Sequence, residues 1–276
     1  MANPIFDNSP VFQDPVQRKG QKAPAQGQPA GVTYATAGAA ATDAASLEAL
    51  YGSPAATPRD TARMTYDDVI IRTAGLLTVL VVVGAATWVL APGLWIVGAI
   101  VGLVLGLVNA FKKQPSPALI LLYAAFEGMF LGGLSKFYEE QWNGIVGQAV
   151  LATLSVFAVS LILFRSGKVR VTDKFRRTVL LGIIGYCLFS LINVVLWLFT
   201  GMNDFGPLRS GWLGVAVGLV AVGLAAASLI IDFDSIKRGV DKGVPAKLAW
   251  VAAFGLVVTL IWLYLELLRI LAIFRN

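Results

Sequence analysis

Seven runs of apolar residues, each about 20 residues long, follow one another along most of the chain. An α-helix of about 20 residues crosses the apolar core of a bilayer, which is about 30 Å thick. In lipid, a spanning chain must satisfy its own backbone hydrogen bonds, which a helix does within one segment. The pattern therefore predicts an all-α, polytopic membrane protein with a seven-helix bundle. The runs are 72–91, 93–111, 117–137, 143–164, 178–200, 211–231 and 247–273.

The composition agrees with this class and excludes most enzymes. Only 14% of the residues are charged and the mean hydropathy is +0.74, whereas a soluble domain has about a quarter charged residues. The sequence has no His and a single Cys, Cys187, which excludes His-dependent catalytic dyads, haem ligation and disulfides. No Lys follows Lys247 in the last run to bind retinal, and Gly-x-Gly-Asp, the motif of intramembrane aspartyl proteases, is missing. We expect a non-enzyme without a cofactor, leave metal binding open, and predict that Cys187 is a small core residue.

The first 64 residues differ from the rest. They are rich in Ala, Pro, Gln and Gly, with poor apolar periodicity, so we predict a disordered cytoplasmic tail over 1–64 and a membrane domain over 65–276. A short helix over Asp43–Tyr51 is the one element we expect in the tail. Thr65 and Asp68 have the spacing of a capping box, which predicts that the first helix begins at Tyr66.

The distribution of basic residues predicts the orientation. Eighteen of the 22 Lys and Arg residues lie in the tail and in the loops on its side, and three lie on the other side. Cytoplasmic loops carry the excess of Lys and Arg, so the N-terminus is predicted to be cytoplasmic and the C-terminus outside. The net charge of +6 is then a topology signal, and we expect no nucleic-acid partner.

The sixth run has small residues along one face, and this stripe ends in a carboxylate. Small residues let membrane helices approach closely, so this face should point into the bundle. Asp234 lies about 200° around the helix from Asp232. There it can pair with Lys237 and Arg238 as a solvated charge. The stripe consists of Gly214, Gly218, Ala221, Ala225, Ser228 and Asp232.

Few ionisable residues lie in the runs, and such residues mark ion or proton pathways by default. The seventh run has Glu266 and Arg269 on the same face as Thr259, and the third run has Glu127 near its middle. Simpler interpretations stay open for each. Glu266 and Arg269 can satisfy each other, Glu127 can bond a neighbouring carbonyl or Tyr123, and Asp232 can merely mark the end of its helix.

Three segments resemble the bacterial Bax inhibitor-1-like, YccA-type membrane proteins, which are relatives of the transmembrane Bax-inhibitor-motif family. The resemblance covers about residues 65–275 and leaves out the tail. It implies a bundle with a central last helix, and it favours a bacterial plasma membrane. The segments are AAFEGMFLGGLSKFYE (124–139), IIDFDSIKRGV (230–240) and TLIWLYLELLRILAIF (259–274).

The resemblance implies an activity and its residues. Relatives are described as pH-sensitive calcium leaks, gated by an aspartate at the end of the sixth helix and a second one in the seventh. Asp232 matches the first aspartate, whereas Thr259 stands at the position of the second, and the nearest acid on that face is Glu266. Glu127 matches a Glu-Gly pair in the third helix of many relatives.

Two functions from different classes follow. The first is a cation leak, with Ca²⁺ as the candidate ion because oxygen ligands suit hard cations. Without His, its pH sensitivity must use carboxylates. The second is a regulator without transport, which binds a membrane-bound protease or another membrane protein. Flux through purified protein in sealed vesicles separates the two.

Overall fold

The computed structural model describes residues 63–112, 114–200 and 208–275. This part of the chain contains seven helices that are long and apolar enough to cross a membrane, so the predicted all-α, seven-helix class is confirmed. The predicted tail up to residue 62, including the proposed helix over Asp43–Tyr51, lies outside the described residues. The helices are α1 (Tyr66–Leu90), α2 (Trp95–Phe111), α3 (Pro117–Gln141), α4 (Ile145–Arg165), α5 (Asp173–Thr200), α6 (Gly211–Asp241) and α7 (Ala249–Arg275).

The helix ends follow local signals. The Asp68 amide donates to the Thr65 hydroxyl and the Thr65 amide donates to the Asp68 carboxylate, both at 3.1 Å, so the capping box and the start at Tyr66 are confirmed. Helix α6 continues ten residues beyond the predicted apolar run, supported by an Arg238–Asp234 ion pair one turn apart. Asp232 therefore lies within the helix, and the interpretation that it marks the helix end is wrong.

Helix α7 is the centre of the bundle. It packs against α1, α3, α4 and α6, and its residues Ala253, Val257 and Leu263 are fully buried. Helices α2 and α5 are peripheral: α2 lies on α3, and α5 lies on α6. Cys187 of α5 is exposed on the outer surface of the bundle, so the prediction of a core position is wrong.

Glycines allow the closest helix crossing, between α1 and α3. A Cβ atom at Gly132 would overlap the backbone of Gly84, and one at Gly128 would overlap the backbone of Leu80. Helix α2 meets α3 in the same way, because Gly98 lies against the backbone of Phe130. Small residues thus let these backbones touch, as expected where lipid supplies no hydrophobic drive for association.

Candidate functional site

A cavity of about 420 Å³ separates the end of α6 from the start of α7. Asp232 and Gly255 are its lining residues farthest from the α6–α7 turn along each helix, whereas Gly239 and Leu248 lie near that turn. At 1.5 Å per residue, Asp232 lies about 10 Å along the helix from Gly239. The cavity therefore extends from one end of the bundle to the Asp232 carboxylate.

Thr259 is a hydrogen-bond partner of Asp232. The Thr259 hydroxyl lies 2.9 Å from Asp232 Oδ2 and 3.0 Å from the carbonyl oxygen of Gly255. A hydroxyl has one proton, so it donates to only one of these two acceptors at a time. Thr259 is 9% exposed. The small stripe of α6 is buried against α7, where Gly214 lies beside Ile273 and Gly218 beside Ile270. The predicted inward face of α6 is confirmed.

A second polar cluster lies farther along α7, around Glu266. Its carboxylate accepts hydrogen bonds from Tyr186 of α5, from Arg269 one turn away, and from Arg209 at 2.7 Å. The side chains of Glu266 and Arg269 are 5% and 7% exposed. Arg269 fits beside α6 because Gly218 has no side chain there. Glu266 and Arg269 do pair with each other, but Arg209 and Tyr186 complete the cluster.

Arg209 reaches this cluster from the segment between α5 and α6. Its guanidinium also donates to the Tyr186 hydroxyl and lies 5.3 Å from the centre of the Tyr186 ring. Burial lowers the pKa of the Arg209 guanidinium, and the Glu266 carboxylate beside it opposes that shift. The cluster therefore ties the α5–α6 segment to the central helix.

An apolar layer separates the Asp232 cavity from the Glu266 cluster. Glu266 lies seven residues after Thr259, about 10 Å along α7. Leu263 lies between them and is fully buried in one core cluster with Ala225 and Leu229 of α6. The two polar groups thus share helix α7 and are not in contact.

Glu127 occupies a third place, between α3 and α2. Its carboxylate interacts with the Tyr123 side chain one turn earlier, as one simpler interpretation of this residue anticipated. Two glycines of α2 make room for the pair, because Gly102 faces the Glu127 carboxylate and Gly106 faces the Tyr123 ring. The structure therefore brings Asp232 together with Thr259 and Glu266 together with Arg269, while Glu127 stays apart from both.

Asp234 differs from the prediction of a solvated charge. Its side chain is 19% exposed and pairs with Arg238 at 2.6 Å and with Arg176 of α5 at 3.0 Å. The expected pairing with Arg238 is confirmed, but Asp234 also bridges two helices. Its partners differ from those of Asp232, as opposite faces of α6 require.

Sequence reasoning missed Arg209, Tyr186 and Arg176. Arg209 had one available signal, as a lone arginine two residues before the sixth run. Tyr186 and Arg176 had none, because their partners lie 80 and 58 residues away. In the described part of the chain, no group of three or more His, Cys, Asp and Glu side chains is placed to hold a metal ion.

Comparison with known proteins extends the resemblance. A family model described as Bax inhibitor 1 like matches residues 3–276. The match takes in most of the N-terminal segment, so the expectation that the resemblance leaves out the tail is wrong. No curated protein matches the chain.

Proposed function

Because this chain belongs to the Bax inhibitor 1 like family, we propose that it is a cation leak, with Ca²⁺ as the candidate ion and Asp232 as the controlling residue. The observation that carries this proposal is the position of the Asp232 carboxylate, which lines a cavity extending to the end of the bundle. Carboxylate and carbonyl oxygens are ligands that Ca²⁺ takes in proteins. Asp232 and Gly255, which both line the cavity, supply one oxygen of each kind.

The hydrogen bond between Asp232 and Thr259 supplies a pH-sensitive element. When Asp232 is ionised, its carboxylate can only accept, so Thr259 donates to it. When Asp232 is protonated, the acid donates to the Thr259 oxygen, and the Thr259 proton is free for the Gly255 carbonyl. One proton on Asp232 thus reverses the polarity of the contact between α6 and α7. This mechanism needs a single carboxylate, and so it operates with a threonine in place of the second aspartate.

The apolar layer around Leu263 is the barrier in this proposal. A cation that reaches Asp232 meets a dry, packed layer before the Glu266 cluster, and entering such a layer without water is costly. Passage then requires α6 and α7 to move apart. Glu266 and Arg269 hold the far side of this barrier, and we assign them to closure. Glu127 contacts α2 and is assigned to a separate structural role.

The test is Ca²⁺ flux into sealed vesicles that contain the purified protein and a calcium-sensitive dye. Asp232→Asn fixes a neutral side chain, so flux should lose its dependence on pH. Asp234→Asn is the matched control on the other face of α6 and should keep that dependence, even if it lowers stability. Thr259→Ser should behave as wild type, and Thr259→Val should alter the pH profile because the donor is lost.

One result would count against a leak, and another against Asp232 as its controlling residue. Absence of flux in the wild type favours the alternative function, a regulator that binds a membrane-bound protease or another membrane protein. Loss of pH dependence in Asp234→Asn together with its survival in Asp232→Asn would mean that the cavity is not the controlling site.

A further inference from the structure

The residues just before α1 cross the end of the bundle where α6 ends and α7 begins. The Met64 amide donates to the Val244 carbonyl at 2.7 Å, and Arg63 forms an isolated antiparallel bridge with Pro245. Met64 is 4% exposed and belongs to the core cluster of α6 and α7. At the end of the predicted tail, Met64 is therefore packed into the bundle and the exposed Arg63 is bound to its surface.

Met64 lines the same cavity as Asp232. Its methyl group lies against Gly239, where even a Cβ atom would come within 2.5 Å of it. The Arg63 side chain lies against Gly243, which turns the chain after α6 with a φ of +61°. A side chain at Gly239 would displace the Met64 methyl group, and one at Gly243 would crowd the Arg63 side chain.

Helix α1 holds the same turn at a second point. Arg72 donates to the Ala246 carbonyl, and its guanidinium lies 5.5 Å from the centre of the Trp250 ring. The first turn of α1 is itself fixed by the capping box at Thr65. The segment before α1 is therefore held at two places. The capping box fixes Thr65 to the start of α1, and a backbone hydrogen bond joins Met64 to the α6–α7 turn.

We propose that residues 63–65 form a strap that closes the cavity between α6 and α7, with Met64 as its plug, so that this strap controls access to Asp232. Methionine is flexible and unbranched, and it leaves or refills such a space by rotating its side chain. The role of the strap in ion passage rests on the proposed leak, whereas its role in covering the cavity does not.

Access to the cavity is measured by thiol labelling, which needs no ion flux. In a full-length Cys187→Ser background, Ala252→Cys places a thiol in the cavity wall. Met64→Ala should raise its rate of labelling by a water-soluble charged reagent by about tenfold or more, because the apolar atoms that fill the cavity are removed. Met64→Leu keeps most of the bulk and should label nearly as slowly as the parent protein.

Lys237→Cys, an exposed position on α6, is the control reporter and should label equally in all backgrounds. If Met64→Ala unfolds the protein, Gly239→Ala is the second variant, since it displaces the Met64 methyl and leaves the strap sequence intact; it should also speed labelling. Equal rates at Ala252→Cys with and without these changes would overturn the strap. Faster labelling without any vesicle flux would support the strap and refute the leak.

Discussion

Replacing Glu266 by Gln is the sharpest test of the buried charges. The amide has almost the same shape as the carboxylate but no charge, and it faces the guanidinium groups of Arg209 and Arg269. Arg269 is 6% exposed, so its guanidinium is largely shielded from solvent. The substitution therefore leaves two cations close together without their shared anion.

The expected loss in the free energy of unfolding depends on which member of the charged cluster is removed. Removing one member of a buried ion pair costs about 3–5 kcal/mol, because the remaining charge is left uncompensated. By contrast, single hydrogen bonds between membrane helices contribute on average about 0.6 kcal/mol. Since Glu266 serves two arginines and Tyr186, we expect the loss to fall in the larger range. Arg209→Gln should cost less, because the Glu266–Arg269 pair survives it.

The free energy of unfolding is measured by graded denaturation in mixed detergent micelles, with tryptophan fluorescence as the signal. Glu140→Gln is the matched control, because Glu140 is an exposed carboxylate whose contact with Lys136 is 3.9 Å long. Such surface pairs contribute about 0–1 kcal/mol. If Glu266→Gln lowers the free energy of unfolding no more than this control does, the buried charges of the cluster do not stabilise the fold. Glu266 should then be regarded as part of an ion path.

Three further predictions concern the rest of the molecule. Gly132→Ala should cost about 1–3 kcal/mol by the same unfolding assay, because its Cβ overlaps α1 backbone, whereas Gly147→Ala, with open space around it, should cost nothing. Cysteines placed in 201–210 should label from outside intact cells and those in 165–177 should not; the reverse would refute the orientation. Deletion of residues 2–60 should leave a protein that inserts and melts like the full chain, since that composition buries little apolar area; loss of insertion would make the segment structural.

The sequence determines the helices well because the signals are local. Apolar runs of spanning length and the Thr65 cap fix where helices lie, and the small stripe of α6 identifies its inward face. Helix α5 shows where this fails. It is apolar on every side, so nothing in its sequence distinguishes a lipid-facing position from a core position, and Cys187 was placed wrongly.

The candidate site was predictable only in part. Asp232 and Thr259 could be placed on facing stripes of two consecutive helices, so helical periodicity was enough to predict their contact. The contacts of Arg209 and Tyr186 with Glu266 could not be predicted, because they depend on the conformation of the α5–α6 segment and on the position of the peripheral helix α5. The buried position of Met64 depends on its contact with a turn almost 180 residues away, and no sequence pattern indicates that contact.

The central position of α7 has a consequence for biosynthesis. The helix that the others surround is also the one that leaves the ribosome after them, so α1, α3, α4 and α6 enter the bilayer around an unfilled slot. Helix α7 carries Glu266 and Arg269 into that slot, where each charge would cost about 2.5–3.5 kcal/mol at the centre of a lone helix. We expect chains truncated before residue 249 to insert but to be degraded rapidly in a pulse-chase experiment, because nothing then closes the bundle.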